Sequence, residues 1–318
     1  MKKNYIKIAV FLFLISLIIF GGLKYEIYNF KYKSADKLIF INTQFEKNSD
    51  DYKKIKHLAK QFDKTEFKAV IYPANKHKSG KYNLYVINDS SSLPKVIDLE
   101  AINILWLPYV FDDDIEKYRD FDVIVVKSSS SFEHLKAINV RTAFIPDAID
   151  MKKIEKKTNN RVLYYGDYIP NSLVMYLTRN YDIDIIGKGW EKSSVKNKVI
   201  KNKISKDDFA KYLIVLVDQT DEEIAKNLIN KNLITVLENG GFPFIRLNPG
   251  VGKLFDARIA MYFSEQDFHD TMHEFMRNKS TIKYIKNSLY AKLDEWDSLS
   301  VANKLAEIFQ IMQKKRIN

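Results

Sequence analysis

Cysteine is absent from the 318 residues, which removes disulfide frameworks, thiolate zinc sites and cysteine nucleophiles together. Arginine is scarce, with eight residues, so the formal net charge of +11 rests mainly on lysine. No serine-nucleophile elbow and no phosphate loop of the G-x-x-x-x-G-K type occurs. Glycine is the most informative shortage. Only ten are present, yet four of them crowd between Gly240 and Gly252, in and just after LENGGFPFIRLNPG (237–250). A helix that merely stops requires one glycine. The pair Gly240–Gly241 therefore marks a junction where the backbone meets something closely.

What is present is ample for folding. An apolar content of 46% with 13% aromatics suits globular packing and argues against disorder. The length suits two domains of roughly 120 to 170 residues. Lysines are spread along the chain rather than gathered in one basic stripe with interleaved aromatics, so no nucleic-acid partner is expected. A lysine-rich compositional bias accounts for the charge; of functional readings, an anionic membrane surface suits it better, each basic residue near the lipid adding about 1 kcal/mol.

The N-terminus, MKKNYIKIAVFLFLISLIIFGGLK, places three lysines before an uncharged run of sixteen residues from Ile8 to Leu23. That is slightly short of the ~20 residues that span a bilayer core. It is long for a cleavable signal, and no small-residue cleavage site follows. An uncleaved anchor through residues 6–23 is expected. Lysines flank it almost evenly, Lys2, Lys3 and Lys7 before and Lys24, Lys31, Lys33 and Lys37 after, so charge does not set its orientation.

From residue 38 onward, short β-type runs alternate with amphipathic helical stretches. LIFIN, FKAVIY, YNLYVIN, INILWL, DVIVVK and VRTAFIP read as strands of a first unit. DDYKKIKHLAKQF, DDDIEKYRDF and SSSFEHLKAIN read as its helices. A polar connector, MKKIEKKTNN, follows. The pattern then restarts with RVLYYG, a short helix from Pro170, YDIDIIG, SKDDFAKYL, LIVLVD, a helix through Glu238, FPFIRL, IAMYF and helices to the end. Strands separated by such helices indicate parallel βαβ units. The expected organisation is an anchor and juxtamembrane segment at 1–33 and two Rossmann-like domains at 34–155 and 156–318. The cleft between them would face the strand carboxyl ends. Glycines at strand ends, Gly166, Gly187 and Gly189, permit close approach of a ligand. GKGWEK lacks the third glycine of the dinucleotide fingerprint, which weakens a dehydrogenase reading.

VRTAFIPDAID, RVLYYGDYIPN, YDIDIIGKGWEK, ISKDDFAKYL and LITVLENGGFPFIR occur in the order seen in GT-B glycosyltransferases, and they look most like the spore-maturation (CgeB-like) branch. ILWLPYVFDDD and YRDFDVIVVKSS resemble its N-terminal strand segments. The resemblance spans roughly residues 100 to 310. It implies two Rossmann-like domains facing a cleft, a nucleotide-sugar donor held by the second domain, an acceptor entering from the first, and no cofactor or metal. Gly166 and Asp167 would flank the donor phosphates, and Gly187, Lys188, Gly189 and Trp190 would border the nucleotide. Gly240 and Gly241, with Thr235 and Asn239 beside them, would open space for the sugar-phosphate. Lys231, with Arg246 second, would neutralise the diphosphate as charge builds on the leaving group. Aligning on the double glycine puts Thr235 where many members have a signature glutamate and Asn232 where they have arginine. Glu238, one turn away, is the substitute candidate, and with Lys231 it forms the expected catalytic pair.

The resemblance thus implies a membrane-anchored glycosyltransferase acting on a cell-surface glycan, a lipid-linked or a protein acceptor. Its catalytic face would lie on the cytoplasmic side of an inner or plasma membrane, where nucleotide sugars are found. The alternatives are an anchored two-lobed small-ligand binding protein and a glycosyltransferase-like protein that has lost activity. Other constellations carry less. Asp112–Asp114 and Asp182–Asp184 match the D-x-D spacing of metal-dependent glycosyltransferases, but the former suits a helix start and neither is read as a metal site. His269 and His273 share a helix face without the glutamate or third ligand of a zinc site. His134 reads as a helix residue rather than a general base. One of the serines at 128–131 is expected to cap a helix, leaving others for a ligand. Trp106, Tyr165 and Trp190 are candidates to stack on a base or sugar, although strand packing explains a tryptophan more often.

Overall fold

The computed structural model describes residues 37–73, 76–88, 90–110, 112–151, 158–169, 181–193 and 206–317. The apolar run at 6–23, most of the connector and the helix expected from Pro170 lie outside the described residues. Among the described residues no helix is long and apolar enough to cross a membrane.

Among the described residues, eleven strands form where the apolar runs indicate. In the first unit they are β1 (Leu38–Thr43), β2 (Lys68–Pro73), β3 (Tyr82–Val86), β4 (Ile102–Leu107), β5 (Val123–Val126) and β6 (Thr142–Phe144). They make one parallel sheet in the order β2-β1-β3-β4-β5-β6. The second unit contributes β7 (Val162–Tyr165), β8 (Ile183–Ile186), β9 (Ile214–Val217), β10 (Pro243–Arg246) and β11 (Ala260–Tyr262). These form a second parallel sheet in the order β11-β10-β9-β7-β8. β4, β5 and β9 are buried at every position. Helices cover both faces of such sheets, which is why the strands read as continuous apolar runs rather than alternating ones.

The helices of the first unit are α1 (Asp50–Gln61) and α2 (Ser129–Ala137). Ser49 caps α1 by accepting from the Tyr52 N–H, and Asp50 and Asp51 complement the dipole of its first turn. Ile55, Leu58 and Ala59 form its buried stripe. The second unit carries α3 (Asp221–Ala225), α4 (Lys231–Glu238), α5 (Pro249–Leu254), α6 (Glu265–Arg277), α7 (Lys279–Leu293) and α8 (Ser298–Ile317). Two expected helices are 3-10 turns, at Asp112–Tyr118 and Lys206–Lys211. β5 and β9 begin only a few residues further on, and short connectors of this kind use the tighter helix.

The last helix corrects the expectation that the second unit runs to residue 318. α8 crosses back and covers the first sheet, burying Val301, Ala302, Leu305, Ala306, Phe309 and Met312 in the core made by β1, β3, β4 and α1. Phe309 sits against Phe67 and Tyr82 at 5.7 and 5.8 Å. The two passages between the sheets run side by side. The Ile149 N–H donates to the Trp296 carbonyl at 2.8 Å, and the Ser298 hydroxyl and N–H both donate to Asp150.

Candidate donor and acceptor cleft

In each sheet the chain starts at an interior strand, adds one neighbour on one side and then moves to the other. The switch lies between β1 and β3 in the first sheet and between β7 and β9 in the second. Open parallel sheets bind ligands at such crevices, beyond the strand carboxyl ends. A cleft of about 320 Å³ opens between the two units there, lined by Asp51, Asn88, Lys127 and Asp147 of the first and Glu223, Asn230, Lys231 and Asn232 of the second.

On the second unit, backbone groups shape the carboxyl edge of the sheet. Gly166 and Asp167 follow β7, and Gly187 to Gly189 follow β8. The Gly166 N–H donates to the Ile186 carbonyl at 2.9 Å, and the Lys188 N–H donates to Asp167 Oδ1 at 2.8 Å. A Cβ on Gly187 would run into the Gly166 carbonyl, so only glycine allows the two loops to touch. Gly189 takes a left-handed conformation, φ 80°. Trp190 is not a stacking platform. It is 1% exposed, its Nε1 donates to the Gly166 carbonyl at 2.9 Å, and the edges of Tyr164 and Tyr168 meet it at 5.2 and 5.4 Å. It holds the two glycine loops together from within. Trp106 is likewise buried, with its Nε1 on the Ile145 carbonyl, and Tyr165 packs edge-on against Phe209.

Beyond β9, Asp218 accepts from the Tyr164 hydroxyl at 3.2 Å, and burial pushes its carboxyl above the ordinary range. Thr220 and Glu223 form a capping box on α3. Glu223 then accepts from Asn230 Nδ2 at 2.9 Å, while Asn230 Oδ1 caps the Asn232 N–H at 2.7 Å. This chain of bonds sets the start of α4 against the cleft. Lys231 projects there and pairs with Asp51 of the first unit at 2.9 Å. Arg246, at the end of β10, pairs with Asp221 at 2.5 Å.

On the first unit, Lys127 and Asp147 follow β5 and β6 and pair at 2.6 Å. Burial pushes the Asp147 carboxyl up, but Lys127, aided by Lys54 and Lys231, overrides it and holds the group below its ordinary value. The serine run is committed to structure. Ser128 caps α2, Ser128 and Ser130 donate to the Lys226 carbonyl across the cleft at 2.6 and 3.0 Å, and Ser131 accepts from the Val110 N–H. Lys253 to Glu133, at 2.6 Å, adds a further tie between the units.

The structure divides the expected site residues. Gly166, Asp167, Gly187, Lys188, Gly189, Lys231 and Arg246 all lie at the carboxyl edge of the second sheet. Glu238, Asn239, Gly240 and Gly241 lie at the other end of α4, about 10 Å away along the helix axis, and of the two groups only Lys231 lines the cleft. Glu238 pairs with Lys54 of α1 at 3.0 Å. The Thr235 hydroxyl donates back to the Lys231 carbonyl at 3.0 Å, and Asn239 Nδ2 donates to the Thr235 carbonyl. The glycine pair does not open space for a donor. Gly240 is left-handed, φ 75°, and ends α4. A Cβ on Gly241 would come within 2.6 Å of Val236. Their carbonyls accept from Lys286 and Tyr290 of α7, at 2.7 and 2.8 Å. Asp182 and Asp184 are occupied by Arg161, and no cluster of potential metal ligands occurs among the described residues. Asp51, Lys127, Asp147, Glu223 and Asn230 were not singled out from sequence; position shortly after a strand, or at the start of a helix, is the signal they share.

The fold resembles that of solved GT-B glycosyltransferases. No known family profile and no curated protein matches the chain, but solved structures do. The chain is similar to a DNA-modifying β-glucosyltransferase, solved in the presence and absence of uridine diphosphoglucose, at 11% identity and a TM-score of 0.54, over 86% of this chain and 99% of that one. It is similar to the α,α-trehalose 6-phosphate synthase of Burkholderia multivorans at 7% identity and a TM-score of 0.57, over 88% and 99%. An O-GlcNAc transferase of Thermobaculum terrenum matches at 10% identity and a TM-score of 0.55, over 87% and 68%. At these identities the likeness concerns the fold.

Proposed function

We propose that this protein is a nucleotide-sugar-dependent glycosyltransferase of the CgeB-like branch, metal-independent and anchored through residues 6–23 with its catalytic domains in the cytoplasm. The observation that carries the reading is the cleft between the carboxyl ends of two parallel sheets, with cations facing it from both sides. The nucleoside diphosphate of the donor would lie over the Gly166–Asp167 and Gly187–Gly189 loops, its phosphates reaching toward Lys231 and Arg246. As an acceptor hydroxyl attacks the anomeric carbon, the bond to the diphosphate breaks, negative charge gathers on the departing oxygen, and the hydroxyl proton passes to the departing diphosphate. Lys231 stands where that charge needs stabilising. Asp51 and Asp147 face the acceptor side. Asp147, held ionised by Lys127, orients a hydroxyl rather than serving as a proton acceptor poised near neutrality. The acceptor is a cell-surface glycan, a lipid-linked or a protein substrate.

Calorimetric titration of the full chain with a panel of nucleoside diphosphates tests this. One of them is expected to bind, and about tenfold more weakly to Lys231→Ala; binding of none sinks the proposal. A second reading, donor binding without transfer, draws on Thr235, whose hydroxyl bonds its own helix where many members carry glutamate. A donor-turnover assay on the same preparation separates the two.

A further inference from the structure

At the amino edge of the second sheet, opposite the cleft, lies a cavity of about 510 Å³. Lys279, Lys283 and Lys286 of α7 line one wall, with Asn160 and Tyr212 beside them and Phe242 among its apolar groups. The three lysines are spaced i, i+4, i+7 and so share one helix face. No carboxylate lines this cavity among the described residues. Asp184, which accepts from the Tyr212 hydroxyl at 3.0 Å, is itself paired with Arg161. Two of the lysines donate to neutral oxygens, and Lys286 also lies over the Tyr290 ring at 5.5 Å. Lys279 donates to Asn160 Oδ1 at 2.6 Å, and Lys286 to the Gly240 carbonyl at 2.7 Å. Each ammonium has three donors, so both retain capacity for an anion. Lys283 stands exposed at the rim.

We propose that this cavity is a second ligand site, separate from the donor cleft, that takes a phosphate group carried on an apolar or aromatic body. Three cations without a carboxylate partner among the described residues, beside an apolar floor, match that chemistry, and a phosphate offers them more charge and one more acceptor oxygen than a carboxylate. Burial pushes the Lys286 ammonium below its ordinary value, and a bound anion relieves that cost. The phosphate can belong to a lipid headgroup or to a soluble compound.

The test uses the full chain in phosphatidylcholine nanodiscs, carrying Lys231→Ala to weaken phosphate binding in the cleft. Inorganic phosphate and dihexanoyl phosphatidic acid are titrated separately by calorimetry. At least one is expected to bind, with affinity falling about tenfold on adding Lys283→Gln and further on adding Lys279→Ala. Tighter binding of the phosphatidic acid identifies a headgroup site with an apolar extension, and equal or tighter binding of phosphate a soluble ligand. Binding of neither probe, or binding indifferent to both lysines, overturns the proposal. Both substituted residues lie at the surface end of the site, and an unchanged melting midpoint verifies that the fold persists.

Discussion

The two edges of the second sheet are built by different means. At the carboxyl edge, glycine loops and the start of α4 bring backbone close to open space, and the long side chains there pair outward or across to the first unit. At the amino edge, side chains close the structure inward. Arg161 and Tyr212 converge on Asp184, which is 5% exposed, and Lys286 and Tyr290 roof the glycine pair. α4 belongs to both edges, its first residues in the cleft and its last beneath α7. The lesson is that a strand-flanking glycine acquires meaning from which end of the strand it adjoins.

Substitutions test the division by separating stability from ligand binding. The largest effect is expected of Gly187→Ala, because the added Cβ meets backbone rather than a movable side chain. It should cost about 3 kcal/mol in urea unfolding and also weaken nucleotide binding, since the two loops part. Asp184→Asn comes next. It leaves Arg161 without its buried partner and should cost about 2 kcal/mol, with nucleotide affinity unchanged; a changed affinity would break the separation of the edges. Tyr212→Phe is smallest, about 1 kcal/mol at neutral pH for one lost hydrogen bond. Burial, with Asp184 beside it, pushes the Tyr212 phenol from 10 to about 12. The unfolded chain releases that proton first. The stability it contributes is therefore complete below pH 10 and lost between pH 10 and about 12. The variant should show a flatter alkaline limb in thermal melts recorded across that window.

Strands were the most legible feature of the sequence, since burial on both faces writes the central ones as apolar runs such as VIVV or IVLV. The order of strands within the sheets was not legible, because register and neighbours depend on contacts distant along the chain. α8 shows the same limit. Its apolar stripe announces a buried helix face but not which sheet it will cover. At the carboxyl edge, the loops adjoining β7 and β8 were legible through glycine spacing as places of close backbone approach. Asp147 and Lys127 were not, because each is a lone charged residue and only folding brings them within 2.6 Å. Gly240 and Gly241 were legible as a junction but assigned to the wrong edge. A glycine pair reports close backbone approach without naming the neighbour, here α7.

The return of α8 has a consequence for how the chain is made. The first sheet leaves the ribosome early, yet the face that receives Val301, Leu305 and Phe309 stays bare until residues 298–317 have been synthesised. Domains ordinarily complete themselves in the order of synthesis. Here the unit begun first is finished last, and a chain stopped before Ser298 would expose the apolar surface of β1, β3 and β4 to whatever chaperone or neighbouring chain meets it.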